Sequence, residues 1–98
     1  MLSKIYWTRQ AREDLREIRA FIARETPVTA AAFTRRLRAS VGRLRSFPQS
    51  GQVAPELGDE EIRELIRGHY RVIYRLRVSR VEILTVYHSS RLLDDTQF

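Results

Sequence analysis

Two kinds of side chain in this sequence stand out as candidates to move a proton or hold an anion. His69 and His88 are the only histidines, and an imidazole with a pKa of about 6.5 can serve as acid or base near neutrality. The other kind is arginine, because every basic residue except Lys4 is one. A guanidinium is a planar fork that matches phosphate or carboxylate, so the composition points to an anionic partner. The absence of cysteine removes disulfides and thiolate nucleophiles. Two histidines make a structural zinc site improbable. No phosphate-binding loop, G-x-S-x-G, H-E-x-x-H or paired-carboxylate pattern occurs, so neither a metal nor a small-molecule cofactor is expected.

The charge is unevenly spread. Eighteen basic and 12 acidic residues give +6. Residues 1 to 50 hold 11 basic and 4 acidic residues, and residues 51 to 98 hold 7 and 8. Within the second half, Glu56, Asp59, Glu60 and Glu61 form an acidic connection, followed by an arginine-rich stretch from Ile62 to Arg91. Solvation of helix faces is the competing explanation for the same arginines. Ninety-eight residues make one domain, 1 to 98, with a single core. The N-terminus has neither a signal peptide's apolar core nor a run of about 18 apolar residues, so a cytoplasmic protein without membrane contact is expected.

The elements that position these residues follow from periodicity. Between Ile62 and Arg91 apolar and charged residues alternate, which is the pattern of sheet. Tyr70, Val72, Tyr74, Leu76 and Val78 fall on one face; Arg71, Ile73, Arg75 and Arg77 fall on the other, expected to stay exposed because a buried unpaired guanidinium is too costly. Residues 2 to 7 read as a first strand. Thr8 caps a first helix, roughly 9 to 25, with Ala11, Leu15, Ile18 and Ile22 inward. Glu13 and Glu17 on its outer face can pair with arginines one turn away. Thr26 and Pro27 open a second helix running to about Ser46, with a core stripe of Ala30, Phe33, Leu37, Val41 and Leu44; Gly42 weakens it without ending it. Phe47 to Gly51 stops it. Strands Ile62 to Ile66, Tyr70 to Leu76 and Val81 to Tyr87 complete β-α-α-β-β-β: an α+β fold with an antiparallel helical hairpin on one face of a mainly antiparallel sheet, the other face partly open. Leu92, Leu93 and the tail beyond are expected to form a loose turn. Trp7 and Phe47 are expected at core edges, and Tyr70 and Tyr74 in the core with wet hydroxyls.

Four stretches taken in order, WTRQAREDLREIRAFIA, TPVTAAAFTRRLRASVGRLRSFPQSGQ, IRELIRGHYRVIYRL and ILTVYHSSRLL, resemble the RelE/ParE superfamily, the toxin halves of bacterial type II toxin-antitoxin pairs. The resemblance spans nearly the whole chain and implies this fold. RelE-like members cleave messenger RNA on the ribosome; ParE-like members act on DNA gyrase. RNA cleavage needs a proton acceptor, a proton donor and cations on the phosphate. Arg71 matches a basic position used by the nucleases and Arg91 roughly matches another, with His88 as the candidate acid or base. Leu65, however, lies where a further cation is wanted, and no tyrosine follows Arg91. The runs Arg63 to Leu65, Tyr70 to Tyr74 and Val86 to Arg91 look like the ParE branch. The resemblance therefore implies a gyrase-impairing toxin neutralised by a cognate antitoxin, with the ribosome and messenger RNA as the alternative target. The partner-binding residues expected are Arg12, Arg16, Arg35, Arg38, Arg63, Arg71, Arg75 and Arg91. Ion pairing with Glu64, Glu82 or Asp94 is the plainer role for Arg63 and Arg91, and a backbone hydrogen bond that for His88.

Overall fold

The computed structural model of the protein describes residues 2–89. The expectations for Arg91 and for the turn at Leu92 and Leu93 lie outside that range. Strand β1 (Lys4–Trp7) leads through Thr8 into helix α1 (Arg9–Ala23), and helix α2 (Pro27–Gly42) returns beside it. Thr8 is the cap the sequence predicts: its hydroxyl oxygen accepts the Ala11 N–H at 3.1 Å. The same hydroxyl is shared between the Ile83 and Leu84 carbonyls at 2.8 and 3.0 Å, so the helix start is tied to the sheet as well as capped. Pro27 takes the first turn of α2 as expected, but the Thr26 side chain makes no capping bond. The α-helix ends at Gly42 and continues as a 3-10 turn, Arg43–Arg45. That corrects the single helix to Ser46: the last turn tightens to i to i+3 bonding, the Ser46 N–H donating to the Arg43 carbonyl at 3.2 Å, as helix C-termini commonly do.

The sheet has five strands where four were expected. Strands β2 (Gln52–Val53), β3 (Ile62–Arg67), β4 (Tyr70–Arg77) and β5 (Arg80–His88) join β1 in the order β1-β5-β4-β3-β2. β1 runs parallel to β5 and the other pairs are antiparallel. Two residues of β2 are too few for alternation to signal them. Its position follows from Gly51, where a Cβ would lie 2.5 Å from both the Glu64 carbonyl and the Tyr74 hydroxyl. Only glycine lets the backbone pass so close.

The helices cover one face of the sheet, packing Leu15, Leu37, Val41 and Leu44 on Leu65, Val72, Tyr74, Val81, Ile83 and Val86. Burial of these side chains contributes roughly 1.5–3 kcal/mol each and holds the hairpin in place. The opposite face is partly open, as expected: Tyr6 and Ile66 on it stay exposed, while its centre is covered. Ala54 and Leu57 of the acidic connection fold over Ile62, Ile73, Leu84 and Tyr87 as a second small apolar cluster. Val78, expected inward, is almost fully exposed because it lies in the two-residue turn between β4 and β5, and Phe47 is also exposed. Glu13 and Glu17 make no ion pair within α1; the pairs among the described residues lie on the sheet and its connections.

Candidate functional site

Arg71 is buried, which corrects the expectation of an exposed arginine face. Its guanidinium is enclosed by two carboxylates. Nη1 and Nη2 donate to Glu56 at 2.6 and 2.8 Å, and Nε donates to Glu64 at 2.7 Å. The Tyr87 ring lies 5.5 Å away, and Gln52 donates to the other Glu64 oxygen at 3.0 Å. The hydrogen bonds from Glu56, and then Glu64, hold the guanidinium pKa above its ordinary value despite the opposing effect of burial. The principle that forbids a buried lone cation therefore holds; what periodicity could not show is that Glu56, fifteen positions upstream, folds back as its partner.

A bulge separates Arg71 from His88. In β4 and β5 Tyr74 pairs with Ile83 while Ile73 pairs with Thr85, leaving Leu84 without a partner. One extra residue moves everything after it to the opposite face. Strict alternation would put His88 on the face of Arg71. Instead Tyr87 pairs with Arg71, and His88 pairs with Tyr70 on the helix side. His88 ends β5 exposed, 5.7 Å from the Tyr70 ring and stacked on His69 at 6.1 Å. Tyr70 in turn meets Phe33 edge-on at 5.1 Å.

The other expected arginines divide into three groups. Arg12, Arg16 and Arg38 come together in a groove of about 510 Å³ where α1, α2 and β1 meet, with Ile5, Trp7 and Leu15 as its apolar lining. Arg38 lies over the Trp7 ring at 5.9 Å and Arg12 donates to the Trp7 carbonyl at 3.0 Å. Arg19 completes the set; positions 12, 16 and 19 follow the i, i+4, i+7 stripe of a helix, the signal that could have found it. Arg35 is exposed on α2 outside this lining, and Arg75 is half-buried on β4. Arg63 does not pair with Glu64 but donates to the Gly51 and Gln49 carbonyls at 2.9 and 3.3 Å. It and Tyr74 fix the same loop: the Tyr74 hydroxyl accepts the Gly51 N–H and donates to the Pro48 carbonyl, both at 2.9 Å. That hydroxyl is dry, not wet, and burial raises its pKa above the usual phenol value. Asp14, which sequence reasoning passed over, accepts the Val86 N–H at 3.0 Å and the Thr85 hydroxyl, closing the edge of β5 where β1 stops.

The sequence model for the ParE toxin of type II toxin-antitoxin systems, parDE, matches residues 5–93. The chain belongs to this family. It is similar to toxin Y4kP of Sinorhizobium fredii, 37% identical over 87 residues that make up 88% of each protein. Toxin RelE2 of Caulobacter vibrioides is 28% identical over 92 residues, 93% of this chain and 100% of that one. Among solved structures, one from a chromosomal ParDE toxin-antitoxin system of P. aeruginosa superposes with a TM-score of 0.74 at 21% identity, covering 89% of this chain and 96% of that one. The toxin-antitoxin complex RelBE2 of Mycobacterium tuberculosis contains a chain that superposes with a TM-score of 0.60 at 26% identity, covering 93% and 95%. This family member is a type II toxin of the RelE/ParE superfamily. Its relatives carry names from both branches. No described helix is long and apolar enough to cross a membrane, and no described group of three or more acidic, histidine or cysteine side chains could hold a metal ion.

Proposed function

We propose that this toxin impairs DNA gyrase by protein-protein contact and performs no covalent chemistry of its own. The observation that carries the reading is the enclosure of Arg71 by Glu56 and Glu64 on the sheet face opposite His88. A ribonuclease needs its cation and its proton-transfer group around one phosphate. Here a carboxylate fork occupies the guanidinium, and the imidazole faces away from it. Arg63, the next candidate cation, is engaged with loop carbonyls.

The partner in the resting state is a cognate antitoxin, and the groove between α1, α2 and β1 suits it. Four arginines beside Trp7, Ile5 and Leu15 favour an amphipathic segment whose carboxylates meet Arg12, Arg16, Arg19 and Arg38 while an apolar residue packs on the indole. Charge of this kind raises the encounter rate and desolvated apolar anchors supply affinity. Arg35 adds to the field without lining the groove. Arg75 and Arg91 stay in the expected contact set, which Arg63 and Arg71 leave because both are engaged within the chain.

The test pairs two assays on the purified toxin: supercoiling by gyrase and protein synthesis in a cell-free extract. The expected result is inhibited supercoiling with translation initially intact. Codon-spaced cuts in the message, abolished by His88→Ala or Arg71→Ala, with gyrase unaffected, would move the protein to the ribosome-dependent nucleases.

A further inference from the structure

β2 accompanies β3 only across Arg63 and Glu64, so Leu65, Ile66 and Arg67 form a rim of the sheet with no strand among the described residues beside them on that side. The backbone direction there can be read from its neighbours. The Ala54 N–H donates to the Ile62 carbonyl at 2.9 Å, so the polar groups of Ile62 point outward, and alternation gives Ile66 the same direction. Arg67 covers the Ile66 carbonyl: its Nη1 donates to it at 2.6 Å, while its Nε donates to the Ser40 hydroxyl of α2 at 2.5 Å. The Ile66 N–H has no acceptor among the described residues.

A charged side chain folded over an edge is a common defence against unwanted pairing. The surroundings exceed that purpose. A groove of about 500 Å³ runs along the rim between α2 and β3; Phe47 and Ile66, 65% and 42% exposed, stand beside it with Arg43. An edge that is only blunted has no need of two large apolar side chains next to its one open amide.

We propose that this rim is a second docking site for the antitoxin, which lays a short extended segment against Ile66. The Ile66 N–H donates to a carbonyl of that segment, an apolar side chain settles beside Phe47, and a carboxylate meets Arg43 and Arg67. Charge decides for an acidic segment. Among the described residues, the one carboxylate lining the groove, Glu64, is already engaged by Arg71 and Gln52, whereas Arg43 has no ion-pair partner and Arg67 bonds neutral oxygens alone. This site lies toward the β2 end of the strand order and the hairpin groove at the β1 end, so the antitoxin engages them with separate segments. The inference rests on the antitoxin reading above.

The test uses the full chain co-purified with the product of the adjoining reading frame. Amide exchange followed by NMR should show the Ile66 N–H slowed by roughly tenfold or more in the complex relative to the free toxin. Phe47→Asp and Arg43→Glu, both at exposed positions, should each weaken the complex by about tenfold while leaving the melting temperature of the free toxin unchanged. A complex weakened by Arg16→Glu and Arg38→Glu, but with Ile66 exchange unchanged and both rim variants binding normally, overturns the second site and leaves the first. Failure of any complex to form removes both.

Discussion

The two faces of β4 are buried by different physics. On the helix side Val72 and the ring of Tyr74 pack into an apolar cluster; on the other side Ile73 shares its cover with a guanidinium held between two carboxylates. Apolar packing tolerates the loss of one member by partial collapse, whereas a buried charge cluster is stable only when complete. The charged face is therefore a poor source of reactive groups although it contains the residue types a nuclease would use. The reactive potential of a side chain depends on whether its charge is already matched.

The largest effect should come from breaking that match. Arg71→Ala leaves Glu56 and Glu64 buried without their cation and should cost about 3–5 kcal/mol in urea denaturation. Replacing all three members together with apolar residues of similar volume should be roughly neutral to stabilising by about 1–4 kcal/mol; a triple variant as unstable as Arg71→Ala would erase the distinction between the faces. On the helix side, Leu37→Ala should cost about 2–5 kcal/mol through the lost contacts and the cavity left behind. Calorimetry alongside denaturant titration checks it.

Tyr74→Phe comes next. It strands the Gly51 N–H and the Pro48 carbonyl and should cost about 1–3 kcal/mol. It should also change the alkaline response. Burial raises the Tyr74 pKa above the ordinary phenol value of 10.0, so the folded state holds that proton more tightly than the unfolded one. The resulting stability is present below a pH of about 10 and is lost as pH rises through the folded value. Urea midpoints at pH 9, 10 and 11 should fall in the parent more steeply than in the variant. Arg71 adds nothing to this limb, since its already high pKa is raised further. The smallest change is expected for Arg80→Ala. It removes a surface contact with Glu82 at 2.5 Å, and should shift stability by roughly 0–1 kcal/mol, diminishing with salt.

The hairpin, the Thr8 cap and four of the five strands were legible because each rests on local signals. Thr8 before the apolar stripe of α1, Pro27 behind Thr26, and alternation through Tyr70 to Leu76 are patterns a few residues long. The cationic groove was legible in part for the same reason: Arg12 and Arg16 share a helix face with Arg19, and α2 brings Arg38 beside them. Three features were hidden because their causes are distant in the chain. β2 has two residues and exists because Gly51 passes close to Tyr74. Arg71 reads as exposed until Glu56 folds over it from the connection. His88 reads as its neighbour on one face until Leu84 is counted as an extra residue.

Residue order alone determined which segments become helix or strand, the antiparallel hairpin, the excess of cations and the family, since these depend on periodicity, turn chemistry and composition. Tertiary structure decided which cations remain available. Strand alternation assigns relative faces only while the ladder is regular, and a single bulge at Leu84 reverses the assignment for His88. The charge on Arg71 is likewise matched or free according to where a loop carboxylate lands in space, a quantity that spacing along the chain does not encode.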